Sequence, residues 1–316
     1  MTLQSHPEPA VRPAAPVPDP TRPARPGRTA LISAAAGILL AVLWSFELVD
    51  SVIGDTVADS LLGHDAKATA ITGTAAGLLF AFVSGFAGTF TACNIAMVAS
   101  LGPMSQAGAS RVERSAATLR PLLRAVGLLA LGMLPVSAGY GALGVLLGDR
   151  LPQLSTDTVG DVPVRLVQSS VVFGLIGLVL AYLGLAALGL LPDVFAARPA
   201  RRVVLLGALV GGFLIGRPYP LFNKLFHWAV DTGNPAYGAL AFVLQSLGNI
   251  LVVSVLFALV VLVSRGRFLR WMAEPRRAAV VTGALLVALG VFTVVYWDLR
   301  VPAHFGVGWF PTMPYN

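Results

Sequence analysis

Two short runs hold the residue types best suited to chemistry in this sequence. The first, Gly88-Thr89-Phe90-Thr91-Ala92-Cys93-Asn94-Ile95-Ala96-Met97, sets the only thiol of the chain among small and polar residues deep in an apolar stretch. A thiolate at Cys93 would be a nucleophile able to form a mixed disulfide with a partner. Inert packing is an equally good reading of a single cysteine in an apolar helix. Thr91 and Asn94 are candidates to line a cavity, although polar residues of this kind more often hydrogen-bond between helices. Met97, with Met104 beyond it, adds thioethers that would suit Cu(I), against the commoner role of methionine as core. The second run places Arg217, Tyr219, Asn223, Lys224 and His227 within 11 residues. An arginine at the bilayer centre costs about 2.5–3.5 kcal/mol on insertion scales, so such groups tend to face a cavity and serve a pathway. Arg217 is read that way, whereas Lys224 and Asp231 are read as interfacial side chains that snorkel to water. Gln245 and Asn249, one turn apart on the next apolar segment, are candidates for the same cavity.

The elements that must position these residues follow from composition. Of 316 residues, 56% are hydrophobic and 12% are charged, about half the charge of an ordinary soluble domain. Such a chain cannot coat a globule with solvated groups, which excludes a water-soluble enzyme and indicates a multi-pass membrane protein. A single cysteine excludes an intramolecular disulfide and a Cys-rich zinc site. Four histidines form no metal constellation, and no nucleotide-binding or hydrolase motif is present. The expectation is therefore no metal, no cofactor and no nucleic-acid partner, with the lipid bilayer as the surroundings.

Residues 1–28 contain eight prolines and few large apolar side chains, and are expected to form a disordered cytoplasmic tail. Apolar segments follow at 29–49, 68–106, 121–148, 166–191, 203–230, 236–264 and 278–297, which predicts seven transmembrane helices. Sixteen of the 22 Lys and Arg residues fall in 1–28, 101–124, 192–202 and 264–278, while ten of the 15 acidic residues fall in the alternate connections. The positive-inside rule then puts the N-terminus in the cytoplasm and the 298–316 tail outside, in the plasma membrane. Two segments should be broken. Residues 68–110 carry no charge and are too long for one straight crossing, and Gly216-Arg217-Pro218-Tyr219-Pro220 interrupts another. Each opens a block of three spans, 68–191 and 203–297, so the all-α fold is expected to be an extra N-terminal helix plus a 3+3 inverted repeat with two broken helices.

Around Cys93 the sequence resembles the transmembrane thiol-reductant carriers of cytochrome c maturation, the CcdA and DsbD family. Beyond that motif the resemblance is carried by Leu131-Gly132, Gly141-Ala142-Leu143-Gly144, Leu183-Gly184-Leu185, Leu188-Gly189-Leu190-Leu191-Pro192, Gly238-Ala239-Leu240 and Gln245-Ser246-Leu247-Gly248, and it covers about residues 70–295. It implies a six-helix core over 68–297, thiol-disulfide exchange, and a thioredoxin-like or cytochrome-assembly partner. This chain departs from the family pattern at Ala92 and Ala96, where prolines flank the first cysteine, and at Tyr219, where the second cysteine stands. One thiol cannot complete the two-cysteine cycle by itself, so the resemblance implies the scaffold more strongly than the oxidoreductase activity. The alternatives are a small-solute or soft-metal carrier on the same alternating-access scaffold, or a non-catalytic membrane assembly partner.

Overall fold

The computed structural model describes residues 23–45, 52–88, 119–217, 219–263, 267, 271, 274–311 and 313. They fold almost entirely into helices: α1 (Pro26–Leu43), α2 (Thr56–Leu62), α3 (Thr74–Ala87), α4 (Leu119–Leu147), α5 (Val164–Ala187), α6 (Pro199–Gly212), α7 (Pro220–Asp231), α8 (Pro235–Val263), α9 (Pro275–Val294) and the short α10 (Val301–His304). Five stretches are long and apolar enough to cross a bilayer: Pro26–Leu43, Leu123–Arg150, Val164–Ala187, Pro235–Val252 and Pro275–His304. Leu31, Leu123, Leu131, Leu175 and Leu178 point outward from these helices, as expected where lipid tails replace water. The protein is a multi-pass membrane protein.

Local chemistry sets the element boundaries. Proline opens α1, α6, α7 and α9 within their first turns, where the missing N–H would have had no helical partner. The apolar run ending in α9 continues beyond residue 297, where a tail was expected. A π-helical stretch, Val295–Arg300, leads into α10, so the helical rod reaches His304. Arg300 Nη1 donates to the carbonyls of Ala41 (2.6 Å) and Trp44 (2.7 Å), satisfying orphan acceptors at the end of α1. A two-strand hairpin, Thr158–Val159 with Val162–Pro163, turns at Gly160 (φ 63°) between α4 and α5, in a connection read from sequence as loop.

Packing is organised by α4 and α8, which cross where Gly141 and Gly238 each leave room for the other's carbonyl. α4 also packs on α6, α8 on α3, and α5 on α9, with α1 against the outside of α9. One apolar core gathers Leu129, Met133, Phe173, Ile176, Leu206 and Leu286; the other gathers Phe80, Tyr140, Leu221, Phe222, Phe226 and Phe242.

The close approaches come in matched pairs. A Cβ on Gly85 of α3 would run into the Gln245 backbone of α8, and one on Gly207 of α6 would meet the same three backbone atoms of Leu129 on α4. A Cβ on Gly248 would strike the Phe82 carbonyl and the Phe86 nitrogen; one on Gly132 would strike the Val204 carbonyl and the Ala208 nitrogen. Between α5 and α9, Gly184 faces the Val287 nitrogen and Gly283 carbonyl, while Gly290 faces the Ala181 nitrogen and Gly177 carbonyl. Small residues of this kind let membrane helices approach backbone to backbone, where van der Waals contact stands in for the hydrophobic drive that lipid does not supply.

Candidate functional site

The break in the second broken segment is built by its prolines. α6 stops at Gly212, about 21 Å from its start at 1.5 Å per residue, and α7 starts again at Pro220 after Tyr219 in extended geometry (φ −71°, ψ 135°). Pro220 has no N–H to offer the Gly216 carbonyl four residues back, and the extended Tyr219 leaves the carbonyls on either side without helical partners. A buried unpaired carbonyl costs about 1–3 kcal/mol, so each must find a donor elsewhere.

All three do. The Ile215 carbonyl accepts from Gln168 Nε2 and, at 3.5 Å, from the Tyr140 hydroxyl. Ser169 Oγ lies 2.5 Å from the Gly216 carbonyl and 2.8 Å from that of Arg165, so its one proton serves either. Gln153 Nε2 donates to the Arg217 carbonyl at 3.0 Å and also to Asn223 Oδ1. Tyr140 comes from α4, Gln153 from the connection after it, and Gln168 and Ser169 from α5. Sequence reading singled out none of these four. The available signal was Gln168-Ser169-Ser170, three consecutive polar residues in a mostly apolar 24-residue helix.

The Arg217 side chain points away from these carbonyls, toward the end of α3. Its Nη2 donates to the Gly88 carbonyl at 3.3 Å, and its guanidinium carbon lies 5.3 Å from the centre of the buried Tyr219 ring. A Cβ on Gly88 would meet the guanidinium tip, Nη2 first. The contact joins the second break to the end of the helix that leads into the Cys93 run. Among the described residues the ion pairs are Lys67–Asp55, Arg202–Asp193 and Arg277–Glu274, and none involves Arg217. Cys93, Thr91, Asn94 and Met97 lie outside the described residues.

Gln245 and Asn249 are buried on α8, beside the close approach of α3 at Gly85. Among the described residues Gln245 Oε1 and Asn249 Oδ1 have no hydrogen-bond partner, and no bond joins either side chain to Arg217. Ser246, between them, pairs with Ser137 of α4 at 2.7 Å. Asn223 sits inside the break as a partner of Gln153.

Lys224 reaches fixed carbonyls with its ammonium still partly exposed. Its Nζ donates to the carbonyls of Ala66 (2.6 Å), Lys67 (3.0 Å) and Thr69, and rests 5.5 Å from the centre of the Phe80 ring. Three carbonyls of the turn before α3 face α7, and these fixed acceptors add to water around the ammonium. Asp65 holds that turn, accepting from the Lys67 and Ala68 N–H groups at 2.8 Å each. Those bonds, that of Ala68 first, keep the Asp65 carboxyl below its ordinary range.

No group of three or more His, Cys, Asp or Glu side chains suited to a metal ion occurs among the described residues. Comparison of the chain with protein-family models, with curated proteins and with solved structures returns no match.

Proposed function

We propose that this is a seven-crossing carrier of the plasma membrane, with its N-terminus in the cytoplasm and its C-terminus outside. An extra first helix lies beside a 3+3 inverted repeat, α3–α4–α5 and α6/α7–α8–α9. The reading of a repeat is supported by the matched glycine approaches, in which Gly85 and Gly207, Gly248 and Gly132, and Gly184 and Gly290 meet like atoms on exchanged helices. The scaffold is of the thiol-reductant carrier type. With one cysteine and a tyrosine at the second break, its work is to pass a small solute between two broken segments.

The observation that carries this reading is the Arg217–Gly88 contact, which brings the second break to the end of α3 at an ionisable side chain. Counterflow of labelled small solutes in proteoliposomes tests it. Uptake that depends on internal solute and falls in Arg217→Gln is expected, and a panel of small solutes with no counterflow would sink it.

A second reading is favoured by the same contact, because a guanidinium near the Cys93 run would stabilise a thiolate there. In that case the Cys93 thiolate attacks the disulfide of a thioredoxin-like or cytochrome-assembly partner, forms a mixed disulfide and releases the partner's other sulfur as thiolate. Trapping that mixed disulfide, and losing it in Cys93→Ala, would favour the redox reading over solute transfer.

A further inference from the structure

Four kinds of partner can compensate a guanidinium held within a membrane protein: backbone carbonyls, an aromatic face, a protein anion or a bound anion. The carbonyls released by the break are the obvious first choice for Arg217, and they are already taken. Ile215 is served by Gln168 and Tyr140, Gly216 by Ser169, and Arg217's own carbonyl by Gln153. No carboxylate among the described residues pairs with it. Among the described residues what remains is one long bond to the Gly88 carbonyl and the face of the Tyr219 ring, for a group that presents five N–H donors in a planar fork.

We infer that the junction of the second break with the end of α3 binds a small oxyanion through the Arg217 fork. This rests on reading that junction as the working site of the carrier, and it names the chemical class of the solute. The planar fork matches the paired oxygens of a carboxylate or phosphate, geometry that a spherical halide cannot use. Gly88 supports the assignment from the other side. Its missing side chain leaves the guanidinium tip room at the end of α3.

The test uses the full-length protein in detergent and follows its thermal unfolding midpoint with acetate, inorganic phosphate or chloride at matched ionic strength. Acetate and phosphate should raise the midpoint in a saturable way, and chloride should not. Arg217→Gln should abolish the response, and Arg217→Lys should weaken the apparent affinity about tenfold or more, since it keeps the charge and loses the fork. Should Arg217→Gln fail to fold, Gly88→Ala serves instead. Its methyl group displaces only the flexible tip of Arg217, and a changed apparent affinity with an unchanged ligand-free midpoint is the expected outcome. Reconstitution with and without phosphatidylglycerol tells a lipid headgroup from a free anion, because the headgroup would blunt the added-anion response only where that lipid is present.

An equal response in wild type and Arg217→Gln would overturn the inference. So would silence toward both oxyanions in wild type, including the case in which Cys93→Ala alone responds, since the thiolate would then hold the fork. Counterflow of a neutral solute without any oxyanion response would remove this inference and leave the carrier. An Arg217-dependent oxyanion response without counterflow of any solute would remove the carrier and leave the anion site.

Discussion

α4 and α8 meet their neighbours through the same backbone geometry and present different side chains over it. Leu129 of α4 lies against Gly207 as Gln245 of α8 lies against Gly85, and one turn further along each helix stand Met133 and Asn249. Leu129 and Met133 are buried in an apolar core. Gln245 and Asn249 are buried to a similar degree and keep an oxygen without a partner. Identical approaches thus tolerate opposite polarities. The helix contacts are set by where side chains are absent, and the chemistry is set by what stands one residue away.

The strongest way to break that comparison is to fill the gaps. Gly85→Val and Gly207→Val should each destabilise the protein by about 1–3 kcal/mol or more, because either side chain must push a backbone aside. The two losses should agree within about 1 kcal/mol in reversible unfolding from mixed micelles. A neutral result at one position would mean that the two approaches are not equivalent. The double variant Gln245→Leu/Asn249→Met, which copies the α4 residues onto α8, should instead stabilise by about 1–2 kcal/mol, since it removes two unpartnered buried oxygens. It should also lower solute counterflow. A less stable protein would show that those oxygens have partners in the working state.

A kinetic prediction concerns the second break. If Arg217 acts on the Cys93 thiol, Arg217→Gln should slow modification by a membrane-permeant maleimide several-fold at neutral pH and move its pH profile upward. Superimposable profiles would remove the thiolate reading and leave the oxyanion one. The smallest effect belongs to the outer turn. Asp65 has a depressed carboxyl pKa in the folded state, so its contribution is present above the unfolded value of about 4 and is lost as pH falls through the folded value. Asp65→Ala should therefore make the 63–69 turn slightly more open to protease at pH 7, with the difference from wild type fading below pH 4. A difference that persists in acid would assign the effect to packing.

What could be read without coordinates divides along a physical line. The break at Gly216–Pro220 was legible because a proline acts on its own carbonyl four residues back, and the long apolar helices were legible because bilayer thickness is a local length requirement. The donors at the break were not, because Tyr140, Gln153, Gln168 and Ser169 reach it from two other helices and a loop. The partners of Lys224 were illegible for the same reason, since nothing near it in sequence announces the carbonyls of Ala66, Lys67 and Thr69. Of the candidate site, Arg217, Tyr219 and Asn223 meet at the break, whereas Gln245 and Asn249 share burial on α8 without a described bond to that group.

Gln168, Ser169 and Ser170 lie side by side on α5 and attend to two different elements. The first two hold the carbonyls of the break, and Ser170 Oγ donates to the Trp297 carbonyl in the π-helical stretch at 2.7 Å. A turn of α5 about its axis would withdraw all three donors together, leaving the Gly216 and Trp297 carbonyls bare and the Ile215 carbonyl to Tyr140 alone. Small rotations of this helix are therefore not a soft coordinate. α5 behaves as a detent that is either engaged or released, and any gating motion must either carry the break and the π-helical stretch along with it as one body or disengage both in a single step.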